Sequence, residues 1–131
     1  MAAYRKALAL NPQDPRPYNN LAYLYAEQRR NLDEALGLAR RAAELAPKNA
    51  SVQDTLGWVY LARGQMPEAE RSLTDAVALA PQQPTIRYHL GVAHYQRGQK
   101  AEAAAAFRRA LELGKFSEED AARKLLRELG G

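Results

Sequence analysis

The chain has 131 residues, of which 47% are hydrophobic and 26% charged, and it carries a formal net charge of +4. These proportions are typical of a soluble folded protein, and no apolar run approaches the ~20 residues that a transmembrane helix needs. The sequence contains no cysteine, which excludes disulfide bonds and thiolate metal sites and leaves the cytoplasm and the periplasm equally open.

Turn residues divide the chain into helices of similar length. A first helix ends at Leu10, before an asparagine and a proline. Asp14 followed by Pro15 is a favoured helix start, with a capping carboxylate and a proline in the first turn. The same signals, repeated along the chain, predict the helices 15–28, 32–45, 50–62, 67–79, 84–96 and 100–113.

Residues 117–131 differ from what precedes them. Ser117 and Asp120 fit the S-x-x-D pattern of a helix start, and the apolar residues that follow form one helical stripe. Because a helical array needs its apolar end covered, we predict a C-terminal capping helix. An amphipathic helix on a membrane surface is the alternative, and the segment is short and evenly charged for that role.

The helices repeat with a period of 34 residues. The pattern Leu56-Gly57-x-x-Tyr60 returns as Leu90-Gly91-x-x-His94. Other positions recur in the same register, and an earlier copy, with one additional residue near 29–31, carries Leu21, Ala22, Tyr25, Ala35, Ala39 and Ala42 at the matching places. A fixed period of this length indicates a solenoid of small helical units.

This spacing resembles the tetratricopeptide repeat, with its pattern W-x2-L-G-x2-Y…A-x3-F…A…P. The sequence departs from that pattern where tryptophan is expected, which here is Tyr18, Gln53 or Arg87. The resemblance implies an all-α fold, a right-handed α-solenoid of antiparallel helix pairs. It forms a single domain, 1–131, made of the second helix of a preceding repeat (1–14), three full repeats (15–49, 50–83 and 84–116) and the capping helix (117–131).

Small residues recur where the two helices of a pair would touch. Glycine costs up to ~1 kcal/mol in a helix interior relative to alanine, so a glycine that recurs in register has a packing reason. We therefore predict close contact between paired helices at Ala22, Gly57 and Gly91 on the first helices and at Ala35, Ala69 and Ala103 on the second.

Catalytic motifs are absent from the sequence. His89 and His94 are its two histidines, and their spacing places them about 140° apart on a helix, which suits packing better than a shared metal ion. There is no nucleophile elbow, glycine-rich phosphate loop or H-E-x-x-H motif. We predict that the chain is not an enzyme and holds no cofactor or metal.

Basic pairs recur on the second helices, at Arg5-Lys6, Arg40-Arg41 and Arg108-Arg109. Glutamates on the same helices dilute this charge, whereas a nucleic-acid-binding surface carries a less interrupted basic stripe. We interpret the pairs as a solvated convex face and expect neither nucleic-acid binding nor membrane insertion. Richness in alanine and arginine is associated with GC-rich bacterial genomes.

The first helices of the pairs line the concave side of such an array, and one stripe on them faces the groove. Trp58 is the only tryptophan, and aromatic and arginine side chains are enriched at binding hot spots. Trp58 and Tyr95 are either exposed in the groove or bridge neighbouring repeats. The predicted partner-binding residues are Arg16, Asn19, Asn20, Tyr23, Glu27, Asp54, Trp58, Leu61, Tyr88, Val92 and Tyr95.

Some members of the family bind the C-terminal carboxylate of chaperone tails through a clamp of basic and asparagine side chains. The basic places of that clamp hold Asn19, Thr85 and His89 here, and the asparagine places hold Tyr23 and Thr55. The resemblance therefore does not extend to this clamp, and a partner held by aromatic stacking and amide hydrogen bonds is expected instead.

We predict a non-catalytic scaffold that binds a peptide or a partner helix in its concave groove. One alternative is self-assembly into homo-oligomers, in which the half-repeat at residues 1–12 packs against the end of another copy. Another is an accessory domain of a larger enzyme or of a secretion component, since the chain opens in the middle of a repeat.

Overall fold

The computed structural model describes Lys6 and residues 11–130 of the chain. Within these residues the fold is all-α, with no strand. The helices are α1 (Pro15–Gln28), α2 (Leu32–Leu45), α3 (Ala50–Ala62), α4 (Met66–Leu79), α5 (Pro84–Gln96), α6 (Lys100–Leu113) and α7 (Glu119–Glu128). The half-repeat predicted at residues 1–14, and with it the surface predicted for self-assembly, lies largely outside the described residues.

Two of the predicted helix starts have the expected side-chain caps. The Asp14 carboxylate accepts a hydrogen bond from the backbone N–H of Arg16 at 3.0 Å, and Asn49 Oδ1 accepts one from the N–H of Val52 at 3.1 Å. Each bond satisfies a backbone donor that the first turn of a helix leaves unpaired. The capping residues thus fix where α1 and α3 begin.

Two other starts differ from the sequence prediction. Helix α4 begins at Met66, which leaves Pro67 inside the first turn rather than opening it. The predicted Ser117 cap is wrong, because α7 begins at Glu119 without a side-chain cap. The residue at the N-cap position is Glu118, so Ser117 lies one position too early to cap the helix, and its hydroxyl donates to the carboxylate of Glu118 at 3.0 Å.

The helices pack as consecutive pairs that stack into an array. The most extensive contacts are α1 with α2, α3 with α4 and α5 with α6. Each second helix also packs against the first helix of the next pair, the first helices contact one another, and α7 covers α6. This is the arrangement of a solenoid of helix pairs, and the first helices lie side by side along it.

The small residues lie where paired helices approach each other. A β-carbon on Gly91 would lie 2.6 Å from Cε1 of Phe107, a distance that no unstrained packing allows. A β-carbon on Gly57 would clash in the same way with the side chain of Leu73. In the first pair, the matching residue Ala22 is fully buried. The prediction that glycine recurs for packing reasons is confirmed.

The turns inside the pairs depend on left-handed backbone. Gly64 and Gly98 adopt φ of +80° and +77°, a region that glycine enters without steric cost. In the first pair, where the sequence carries an additional residue, Arg29 and Asn31 take left-handed conformations instead, with φ of 52° and 51°. The insertion is therefore absorbed in this turn, and the helices on either side keep their register.

Candidate functional site

A cavity of about 430 Å³ opens between the first helices of the array, and we call it the groove cavity. Helices α1 and α3 form most of its wall, and Thr85 contributes from α5. The residues of the predicted groove stripe that line it are Asn19, Asn20, Tyr23, Glu27 and Asp54. The sequence analysis did not place Leu24, Ser51, Thr55 or Thr85 on the stripe, and they complete the lining.

His89 lies behind this cavity and is buried, with 1% of its surface exposed. Its Nδ1 lies 2.7 Å from Oδ1 of Asp54. An ionised carboxylate can only accept hydrogen bonds, so the Nδ1–H of His89 is the donor in the hydrogen bond to Asp54. The pair links helices α3 and α5. The sequence analysis did not predict this contact.

Trp58 connects three consecutive repeats. Its indole stacks on the His89 ring, with centroids 3.9 Å apart and planes 25° from parallel. Its Nε1–H donates to Oε1 of Glu27 at 2.7 Å, while the side chain stays partly exposed. Of the two alternatives predicted for Trp58, bridging between repeats is present, and it leaves part of the indole at the surface.

Tyr23 stands half-buried between the cavity and the histidine, its ring centroid 6.3 Å from that of His89. Burial raises the pKa of its phenol well above the ordinary value, and the negative charges of Glu27, Glu118 and Asp54 raise it further. These carboxylates come from α1, from the turn before α7 and from α3. Glu27 and Asp54 line the cavity and Glu118 is bonded to Thr85 of its wall, so the carboxylates around it are concentrated on one side of the groove.

Glu118 brings the C-terminal segment to the same place. The Thr85 hydroxyl donates to its Oε1 at 3.0 Å. The repeat pattern could not have found this contact, because Glu118 lies outside the repeats. The residues before α7 therefore contribute charge to the groove cavity as well as leading into the capping helix.

The remaining members of the predicted stripe lie elsewhere. Leu61 and Val92 are buried in the hydrophobic core, with 3% and 8% of their surfaces exposed, and Tyr88 is buried beside them. This corrects their placement at the groove surface. They lie on the inter-repeat side of their helices, which helical spacing alone does not distinguish from the groove side.

The ends of the stripe are also apart from the cavity. Arg16 is exposed and pairs with Asp14 through hydrogen bonds of 2.7–3.2 Å. The Tyr95 hydroxyl donates to Glu128 Oε2 at 3.0 Å, which ties it to α7. The structure thus brings together Asn19, Asn20, Tyr23, Glu27, Asp54 and Trp58 and leaves the other predicted residues outside the cluster.

The described part of the chain offers neither a metal site nor a membrane-spanning helix. No group of three or more histidine, aspartate or glutamate side chains is arranged to hold a metal ion there. No helix in it is both long and apolar enough to cross a membrane.

Comparison with known proteins gives matches to one family. Tetratricopeptide repeat profiles match residues 13–82 and residues 55–118. The TPR repeat-containing protein PA4667 of Pseudomonas aeruginosa is 30% identical over 73 residues, which is 56% of this chain. The match spans only 12% of that protein's length.

Similar solved structures share the architecture. The thermophilic TPR protein TTC0263 of Thermus thermophilus superposes with a TM-score of 0.81 at 25% identity, covering 96% of this chain and 69% of that one. YrrB, described as a TPR protein with an unusual peptide-binding site, gives 0.76 at 28% identity and covers 95% and 62%. The first TPR of Spaghetti (RPAP3), bound to the HSP90 peptide SRMEEVD, gives 0.78 at 23% identity and covers 90% and 91%.

The resemblance inferred from the 34-residue period is therefore confirmed by profile and by structure. One profile alone spans more than half of the chain, and the helix pairs and the close glycine contacts agree with it. The chain belongs to the tetratricopeptide repeat family.

Proposed function

We propose that this chain is a non-catalytic scaffold whose concave groove binds a peptide or a partner helix. Tetratricopeptide repeats serve in general as protein-interaction modules, and stacked repeats create an extended concave surface for binding. The observation that carries the proposal is the groove cavity, which is formed jointly by the first helices of three consecutive repeats.

The cavity has polar groups suited to a peptide backbone. Asn19 Nδ2 donates to Ser51 Oγ at 3.3 Å, while Asn19 Oδ1 is buried and has no hydrogen-bond partner within the described residues. Leaving a buried acceptor unpaired costs about 1–3 kcal/mol. Because Asn19 Oδ1 is shielded from the cavity, the exposed side-chain amide of Asn20 on the same wall is the group placed to bond to a bound peptide.

Relatives support peptide binding in the same coarse sense. YrrB is described as having an unusual peptide-binding site, and the RPAP3 repeat was solved with a peptide. The clamp by which some family members bind a C-terminal carboxylate is not part of the proposed function of this chain. His89, at one of its basic places, is buried and donates to Asp54, and Thr85 is bonded to Glu118.

The test is selection of random twelve-residue peptides on the immobilised protein, followed by affinity measurements on two matched variants. Ser51→Trp fills the groove cavity from an exposed position on its wall. Ala105→Trp adds the same bulk at an exposed position on α6. Selected peptides should lose about tenfold or more of their affinity for Ser51→Trp and keep it for Ala105→Trp. Failure to select any peptide, or equal binding to both variants, would refute groove binding.

A further inference from the structure

We propose that the groove cavity binds the side chain of an arginine carried by an extended partner peptide. The inference rests on the groove binding proposed above and names the chemistry of its partner. It follows from the carboxylates, the side-chain amide and the aromatic ring in the cavity wall.

Carboxylates surround the cavity, and His89, which is bonded to Asp54, is the basic side chain that the described residues pair with one of them. Glu27 and Asp54 line it directly, and Glu118 reaches it through Thr85. None of the lining residues that the structure describes is a lysine or an arginine. Arg16 is engaged by Asp14, with three side-chain hydrogen bonds. A bound cation would therefore meet attraction that the protein itself leaves uncompensated.

The same carboxylates disfavour a further negative charge in this region. After burial, the charges of Glu27 and Glu118 raise the pKa of Tyr23, which lines the cavity, and of the buried Tyr88. Charges that disfavour a phenolate in the wall favour a cation in the cavity beside it. Because the region is partly desolvated, the attraction is stronger than the same charges would exert in water.

A guanidinium fits the cavity better than an ammonium. It offers five N–H donors in a plane and stacks on aromatic faces, whereas lysine presents a compact point charge. Acceptors on the cavity wall include the carboxylate of Glu27, whose Oε1 also bonds to Trp58, and the exposed side-chain amide of Asn20. Tyr23 provides an aromatic ring in the wall. A volume of about 430 Å³ also accommodates a side chain of this length.

A metal cation is a poorer occupant. Asp54 is bonded to His89, Glu27 to Trp58, and Glu118 to Thr85 and Ser117. The carboxylates are thus held apart by their own partners, and the described residues contain no cluster of three ligands. An organic cation can bind through one carboxylate, an amide oxygen and a ring without rearranging them.

The experiment uses capped heptapeptides, glycine and serine throughout except at the centre, where they carry arginine, citrulline, lysine or glutamate. The indole N–H of Trp58 is a unique reporter, because the chain has one tryptophan and its Nε1 contacts Glu27. The arginine peptide should shift its ¹⁵N–¹H signal saturably. The neutral citrulline peptide keeps the shape of arginine and loses its charge, so its affinity should be lower by about tenfold or more. The glutamate peptide should not bind.

A charge-neutralising pair of variants completes the design. Glu27→Gln keeps an oxygen to accept the Trp58 hydrogen bond and should weaken the arginine peptide about three- to tenfold. Glu44→Gln makes the same change in charge on α2, at an exposed residue that pairs with Arg41, and should leave binding unchanged.

The outcomes separate this inference from the groove proposal. Citrulline binding as tightly as arginine, or indifference to Glu27→Gln, would overturn the inference. Lysine binding as tightly as arginine would overturn the assignment to a guanidinium. If the selected peptides lose affinity for Ser51→Trp but are neutral or acidic, the arginine inference fails and groove binding stands. If no peptide of either experiment depends on the groove, both fail.

Discussion

A β-carbon on Gly57 would lie 2.6 Å from Cγ of Leu73, so the leucine side chain occupies the space that any larger residue at 57 would need. Leu73 is itself fully buried. In the first repeat the matching positions, Ala22 and Ala39, are both alanine, and both are fully buried. Glycine thus accompanies a large residue on the second helix, and alanine accompanies a small one.

This relationship predicts that Gly57→Ala destabilises the fold. Overpacking a core typically costs about 1–3 kcal/mol, and the nearest atoms belong to a fully buried side chain. The control is Gly37→Ala on α2, where nothing lies within 4 Å of the added methyl group. That change should stabilise by up to ~1 kcal/mol, because alanine is the better helix former. Urea unfolding followed by circular dichroism measures both, and equal effects would contradict the packing argument.

The same contact predicts a coupled double variant. Leu73→Ala alone should cost about 2–5 kcal/mol through the cavity it leaves. Adding Gly57→Ala should then cost less than it does in the parent chain, because the double variant reproduces the alanine pair of the first repeat. A coupling of about 0.5–3 kcal/mol is expected for residues in contact. Strict additivity of the two free energies would show that the two residues do not compete for space.

The sequence predicted most of the fold because its signals are local or periodic. Asp14 and Asn49 mark helix starts through bonds to their own backbone neighbours, and the small residues mark the helix contacts. The Ser117 prediction failed because α7 begins one residue later than the S-x-x-D pattern places it, and a pattern of residue types does not fix a helix start to a single residue.

The site was predicted in part, for a geometric reason. Spacing identified Tyr23, Glu27 and Trp58, but it also selected Leu61 and Val92, which are core residues. On each first helix, the side that faces the groove and the side that faces the next repeat are close in angle. Only the packing of the neighbouring repeats determines which of the two a given residue faces. The bond between His89 and Asp54 spans two repeats, and no single-repeat pattern contains such a pair.

The capping helix predicts a contrast between two adjacent alanines. Ala122 is fully buried against the last helix pair, whereas Ala121 is exposed. Ala122→Asp should cost at least ~2 kcal/mol, since it buries a polar group without a partner. Ala121→Asp should change stability by less than ~0.5 kcal/mol, as exposed substitutions usually do. Thermal melts with light scattering measure both, and similar losses would mean that α7 does not cover the core.

Removal of the whole segment 117–131 should have a larger effect. Leu125, Leu126 and Leu129 pack against the core cluster that contains Phe107, and deletion would leave that surface in water. We expect lower stability together with self-association, measured by melts and by light scattering at increasing concentration. A monomeric product of unchanged stability would show that the segment is not a cap.

Stability should fall at alkaline pH because of two tyrosines, Tyr23 in the wall of the groove cavity and Tyr88 in the core beside it. Burial and nearby carboxylates raise the pKa of Tyr23 and Tyr88 above the ordinary 10.0. Above that pH the unfolded chain has lost protons that the folded chain still holds, so the free energy of unfolding decreases as pH rises. Urea unfolding at about pH 9 and about pH 11 measures this loss, on either side of the ordinary value for tyrosine. Tyr23→Phe should reduce it, and an unchanged loss would mean that Tyr23 ionises alike in both states.

Trp58 provides the last prediction, since it stacks on His89 of the next repeat and bonds to Glu27 of the preceding one. Trp58→Ala removes both contacts from a partly buried residue and should cost about 1.5–3 kcal/mol. Trp58→Phe keeps a ring over His89 and loses only the hydrogen bond, so it should cost about 0.5–1.5 kcal/mol. Circular dichroism in urea measures both variants without relying on tryptophan emission. A loss below ~0.5 kcal/mol for Trp58→Ala would make the indole a free groove side chain, and a loss of about 3–5 kcal/mol would make it a core residue.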